Sequence, residues 1–164
     1  MDPVTAHVVI DRPREEVFDY LADIANHAEF CDHYLVDWRL LRENSYGVGA
    51  GARFRVKAPL NRFAWADLTL AEMKPPYRIV EHGRGGKFNR IRILSTYTLQ
   101  EGPGDTTRVE FTLETEPALA SDRLIEALGG RAWMKRKNSK AMRRLRTILE
   151  ENRDRGRRPT VAAR

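Results

Sequence analysis

SDRLIEALGGRAWMKRKNSKAMRRLRTILEEN, residues 121–152, is the longest stretch of the chain with one periodicity. Leu124, Leu128, Met134, Ala141, Leu145 and Ile148 recur at spacings near three and four, and Ala127, Ala132, Met142 and Leu149 widen the same stripe. This pattern predicts one long amphipathic helix. Pro117 lies just upstream, Ser121 suits the N-cap, and Asp122 and Glu126 sit near the positive end of the helix dipole. The opposite face is cationic, with Lys135, Arg136, Lys137, Lys140, Arg143, Arg144 and Arg146. Gly129 and Gly130 interrupt the first half, where each costs about 1 kcal/mol relative to alanine; a kink or close packing against a strand is the simplest account. Such a helix cannot bury its stripe alone, so the rest of the chain must supply an apolar surface.

Short strands supply it. Val4 to Ile10 reads as the first strand, with His7 inside it as a packed side chain. Pro13 then opens a helix that carries Val17, Phe18, Leu21 and Ala22 on one face. A second short helix spans 26–31, with Asn26 as its cap. Period-two patterns follow at 35–43, 52–57, 62–73, 77–82, 89–100 and 107–116, separated by turn signals such as Pro75-Pro76 and Gly102-Pro103-Gly104. In the last of these, Val109, Phe111, Leu113 and Thr115 point inward. In 62–73 both faces hold apolar residues; Ala64, Ala66, Leu68 and Leu70 are the better inward set, which makes Asp67 a surface charge. The order predicts an α+β fold: a curved antiparallel sheet of about seven strands wrapped around a long C-terminal helix, with two short helices after the first strand. Residues 1–152 form a single domain in this reading, and 153–164 a basic, disordered tail.

Composition narrows the function. Hydrophobic residues make up 41% and charged residues 32% of 164, as in a globular domain. No apolar run approaches the ~20 residues of a membrane span, and no signal peptide is apparent at the N-terminus; a cytoplasmic location is the default expectation. One cysteine, Cys31, excludes an internal disulfide. The net charge of +6 is unevenly placed: from residue 131 onward thirteen Lys/Arg face three acids, while the remainder is net acidic. A basic helix face of this kind attracts an anionic partner or serves as a solvated face. No nucleic-acid motif accompanies it, which argues against nucleic acid as a partner. The oligomeric state, monomer or homodimer, is left open.

Reactive side chains cluster at His27, Phe30, Cys31, Asp32, His33 and Tyr34. His27 and Cys31, four apart on a helix, could meet as a dyad, but no third group is evident to orient the histidine. The spacing fits no metal motif, so no metal and no cofactor are expected. Surface histidines beside a buried Phe30 are the better account. Gly47-Val48-Gly49-Ala50-Gly51 looks like a phosphate loop but lacks a following helix and a Lys-Ser/Thr, and reads as a bulged hairpin corner. Ser95 and Tyr97 place two hydroxyls among the inward aliphatics of their strand.

The chain resembles the START-like or SRPBCC superfamily, the helix-grip fold of birch-pollen-allergen-like proteins, and within it the polyketide cyclase/dehydrase family. The resemblance rests on Val8-Val9-Ile10 with Pro13, on Glu16-Val17-Phe18-Asp19-Tyr20-Leu21-Ala22-Asp23, and on Gly47-Val48-Gly49-Ala50 before Arg53-Phe54. It continues through Glu72 with Pro75-Pro76 and Arg78-Ile79 to the 145–150 stretch of the last helix. It implies a deep, mostly apolar pocket between sheet and helix that takes polyketides, sterols, lipids, quinones or hormones; some members catalyse cyclisation or dehydration. On that expectation Phe54, Val56, Ile93, Phe111, Leu128 and Met142 are walls, and His82, Ser95 and Tyr97 are polar pocket groups, with Asp67 an outsider. Binding of a small hydrophobic molecule is the first functional expectation. The alternatives are a cyclase/dehydratase-type enzyme with His82 or Asp67 as base and Tyr97 as donor, and an interaction module using the basic helix.

Overall fold

A computed structural model describes residues 2–58, 64–118 and 129–161. Seven strands form one antiparallel sheet: β1 (Val4–Ile10), β2 (Leu35–Leu40), β3 (Gly51–Val56), β4 (Trp65–Lys74), β5 (Arg78–Gly85), β6 (Ile91–Glu101) and β7 (Thr107–Glu116). Their order across the sheet is β1-β7-β6-β5-β4-β3-β2. Every neighbouring pair except β1–β7 is consecutive in sequence, as tight turns dictate. Among the described residues the α-helices are α1 (Arg14–Leu21), α2 (Ile24–Cys31) and α3 (Arg131–Glu151). This is the α+β helix-grip architecture.

The alternation of each strand decides which face packs. β1 alternates perfectly, with Val4, Ala6, Val8 and Ile10 buried and His7 exposed rather than packed. β4 buries Ala66, Leu68 and Leu70, which leaves Asp67 on the outer surface in a two-pronged pair with Arg53 at 2.6 and 2.9 Å. Asp67 is therefore no pocket group. Gly47 and Gly49 have φ of +86° and +89°, a backbone region that suits glycine at the corner leading into β3.

α3 presents Ala141, Met142, Leu145 and Ile148 to the sheet, all nearly or fully buried. Within the described residues α3 runs from Arg131, and Gly129 just before it has φ of +114°, outside the usual helical region. Ser121, Leu124 and Leu128 lie outside the described residues. α2 is capped not by Asn26 but by Asp23, whose Oδ1 accepts from the Ala25 amide at 3.1 Å. All eight residues of α2 are buried, because sheet, α3 and the C-terminal segment cover it. Among the described residues no helix is long and apolar enough to cross a membrane.

The segment after α3, expected as a disordered tail, lies against the fold through residue 161. The Gly156 amide donates to Glu29 O at 2.9 Å, and the Leu40 amide to Thr160 O at 3.2 Å. Arg155 pairs with Glu29, and Arg158 with Asp23 and the Asn26 amide oxygen. Arg144, nearly buried, holds Asp32 on one side and Asp154 on the other. Three of the thirteen C-terminal cations therefore answer acids of the α2 region. Deleting residues 153–164 is expected to lower stability by roughly 1–2 kcal/mol, the scale of a few half-exposed ion pairs, and the deficit should shrink at high salt. Urea unfolding at low and high ionic strength measures both.

Candidate functional site

Between the concave sheet face and α3 lies a cavity of ≈ 90 Å³. A single water needs roughly 10–15 Å³ on the same measure, so the space is several times larger than one water requires. Its walls are largely aromatic: Phe30 and Tyr34 from the end of α2, Trp38 and Phe54 from β2 and β3, Tyr97 and Phe111 from β6 and β7. Val56, Leu68, Ile93, Met134 and Met142 fill in between. The rings stack in tilted pairs, Trp38 on Phe54 and Tyr97 on Phe111, each with centroids 4.6 Å apart.

One polar cluster interrupts this apolar lining. Glu81 on β5 and Ser95 on β6 are cross-strand partners, so both side chains face the cavity. The Ser95 hydroxyl donates to Glu81 Oε2 at 2.5 Å. His27 of α2 places Nδ1 3.1 Å from Glu81 Oε1, with both side chains 2% exposed. Its other nitrogen, Nε2, lies 2.8 Å from Leu21 O. A carbonyl only accepts, so Nε2 carries a hydrogen, and any proton on Nδ1 faces the carboxylate. Glu81 Oε1 faces the imidazole within ion-pair distance, and as a carboxylate oxygen it has capacity for a second donor from the cavity side.

Electrostatics separates the titratable groups. Burial works to lower the His27 pKa, but the facing Glu81 carboxylate outweighs it and holds the imidazole above its ordinary value of 6.5. Burial pushes the Cys31 thiol and the Tyr34 and Tyr97 phenols up, so all three stay protonated. A thiol held in that form is a poor nucleophile. The histidine at position 33 does not serve Cys31 either; its Nε2 lies 3.3 Å from Lys137 O and its Nδ1 3.4 Å from Arg144. No Cys–His dyad is built. Among the described residues no group of three or more His, Cys, Asp and Glu side chains is gathered as for a metal.

Seven of the nine sequence candidates line the cavity: Phe54, Val56, Ile93, Ser95, Tyr97, Phe111 and Met142. Leu128 falls outside the described residues. His82 does not line it. It is exposed on the outer face of β5, opposite Leu94, while Glu81 and Ile79 point inward. His27, a surface side chain on the sequence reading, is buried at the cavity instead. Glu81 is absent from the sequence candidates. The signal for it is the pairing of β5 with β6: once Ser95 and Tyr97 face inward, their partners Glu81 and Ile79 must do so too.

The buried pair gives stability a defined pH dependence. The folded-state pKa of His27 is raised, so folding takes up a proton there. The contribution is full below the ordinary value of 6.5 and is lost as pH rises through the folded value. Urea unfolding from about pH 6 to about pH 9 should therefore show wild type losing stability relative to Glu81→Gln, in which the facing carboxylate no longer raises His27. His27→Ala, which leaves the Glu81 carboxylate buried without its partner, should cost about 3–5 kcal/mol.

Solved structures share the architecture. A crystal structure of TTHA0849 from Thermus thermophilus matches with a TM-score of 0.68 at 17% identity, over 91% of this chain and 99% of that one. Truncated norcoclaurine synthase from Thalictrum flavum matches at 0.67 and 10% identity, over 93% and 95%. DynU16, a protein of the dynemicin biosynthetic locus, matches at 0.62 and 18%, over 95% of this chain and 50% of its own. At such identities the likeness concerns the fold. No curated protein sequence matches. A family model, described as polyketide cyclase / dehydrase and lipid transport, matches residues 1–150, nearly the whole length. The chain belongs to the polyketide cyclase / dehydrase and lipid transport family.

Proposed function

We infer that the chain binds a small, flat, hydrophobic molecule in the cavity between sheet and α3, and that the molecule presents a hydrogen-bond donor to Glu81. The observation that carries this reading is a nearly fully buried carboxylate in an aromatic wall, its Oε1 shared only with the His27 imidazole. A carboxylate oxygen can accept from two donors, so a donor arriving from the cavity finds a place there. A phenol or enol hydroxyl fits that acceptor. A carboxylate or phosphate head would meet the Glu81 charge and be repelled, so fatty acids are poor candidates. Phe54, Val56, Ile93, Phe111 and Met142 are apolar walls in this reading, and Ser95 and Tyr97 flank the polar end.

A second reading rests on His27 and Glu81 being an adjacent base and acid. In an enzyme of the cyclase or dehydratase type, Glu81 would take a proton from carbon next to a carbonyl and return it elsewhere on the same molecule. His82 and Asp67 are not available for that role, being on the outer surface.

A pair of probes separates ligand recognition from apolar partition. Quenching of Trp38 fluorescence should show 1-naphthol bound more tightly than 1-methoxynaphthalene by about 1.5–3 kcal/mol, the scale of a hydrogen bond to a charged group. Glu81→Gln should shrink that gap. Equal affinities in wild type would remove Glu81 as the anchor. For the enzymatic reading, solvent deuterium uptake by a bound β-diketone should fall about a hundredfold or more in Glu81→Gln.

A further inference from the structure

The hairpin joining β5 to β6 is free of acids. From His82 to Gln100 there is no Asp or Glu, and Arg84, Lys87, Arg90 and Arg92 all fall within nine positions. Arg84 stands between two cross-strand partners, Arg92 on β6 and Asp67 on β4, and Asp67 is already held by Arg53. Like charges placed opposite each other destabilise a hairpin. Arg92 lies 3.8 Å from Glu116, and both side chains of that pair are well exposed.

At the tip stands Phe88, 85% exposed, the most exposed large apolar side chain among the described residues. Its backbone is left-handed, φ 58° and ψ 27°, and Asn89 follows with φ 53°. Asn tolerates that region; a bulky aromatic does so at a cost. The fold thus holds a phenylalanine out in solvent, in a strained conformation, with no burial to offset it. Lys87 Nζ lies 5.2 Å from its ring centroid. Trp65, 41% exposed, sits one position before Ala66, the partner of Gly85, and so lies at the base of the same tip.

The same end of the molecule carries the start of α3. Arg131 donates to Pro3 O at 3.3 Å, next to β1, and Lys135 and Arg136 are exposed one turn further on. Ile93 and Thr115, cross-strand partners that line the cavity, lie just inside this end of the sheet.

We propose that this end docks on an anionic phospholipid surface, with Phe88 inserted among the acyl chains and Arg84, Lys87, Arg90 and Arg92 over the headgroups. An aromatic wedge on a convex tip ringed by cations matches a surface that is anionic outside and apolar a few ångströms beneath. Nucleic acid fits less well, since a strand stacks on a groove or platform of several aromatics rather than on one projecting ring. The surface lies outside the cavity and does not depend on what the cavity binds. It adds a place where an apolar molecule can reach the cavity without crossing water.

The test is co-sedimentation of the intact protein with vesicles of phosphatidylcholine alone or with about 30% phosphatidylglycerol. Binding to the anionic vesicles only, weakening with salt, is the expected result. Phe88→Asn keeps a residue that accepts the left-handed backbone, so the tip stays folded; it should weaken binding roughly tenfold. Arg84→Gln with Lys87→Gln should weaken it at least as much. Arg143→Gln with Arg146→Gln, on the exposed face of α3 toward its other end, should leave it unchanged. No binding to anionic vesicles overturns the proposal. So does binding that ignores Phe88, binding that follows Arg143 and Arg146 instead, or single-stranded RNA captured as tightly with the same sensitivity to Phe88→Asn.

Discussion

A twisted seven-stranded sheet has a concave face that must be covered, and α3 is the element that covers it. The cover is complete only over part of its length. Ala141, Met142, Leu145 and Ile148 are packed to near-zero exposure. Toward the start of the helix the inward positions are Met134 and Asn138, then the small Ala141, and the space in front of them is left to the aromatic walls of the cavity. Methionine adapts to an irregular gap without specifying its shape. Asn138 is fully buried and accepts from the Tyr34 hydroxyl at 3.0 Å, which ties the helix to the cavity rim through a polar contact instead of apolar packing. The cavity is thus what remains when a helix with a strong stripe at one end and a weak one at the other is pressed into a curved sheet.

Within that cavity the His27–Glu81–Ser95 cluster is an expensive arrangement. Two ionisable side chains at 2% exposure lose their hydration, and a hydrophobic pair of equal volume would often be as stable or more so. Oε2 accepts from Ser95, Nε2–H donates to Leu21 O, and Oε1 faces Nδ1 of His27. The cluster ties α2 to β5 and β6 and at the same time sets a charged acceptor in the cavity wall.

Much of the fold was legible because it follows from local rules. β1 and β7 run between the residues their alternation marks, and the inward face of β4 follows from Ala66, Leu68 and Leu70 being the more apolar set. The cavity walls were legible for the same reason, since Phe54, Ile93, Tyr97 and Phe111 sit on unambiguous strand faces. The polar end was not. In β5 the run Ile79-Val80-Glu81-His82 offers an apolar residue and an ionisable one on each face, so alternation cannot choose between Glu81 and His82. Register chooses, and register is a property of two strands. The burial of His27 is likewise invisible locally, because α2 is covered from several sides by elements distant in sequence.

The basicity of the chain divides in the same way between what is local and what is assembled. Counted along the sequence, the C-terminal region looks like one cationic block. In the folded molecule it separates into two populations. Arg144, Arg155 and Arg158 turn back on Asp32, Asp154, Glu29 and Asp23, and so serve to seat the last residues over α2. Charges committed in this way contribute little field beyond the pair. Of the rest, Lys135, Arg136, Lys140, Arg143 and Arg146 stay exposed along α3, and a second cationic place stands on the β5–β6 hairpin, where Arg84 faces Arg92 on one side and Asp67 on the other. A net charge read from the sequence ranks regions by count. What a partner meets is the count left after the fold has paired its own acids and bases, and here that remainder is shared between the outer face of α3 and the tip beside Phe88.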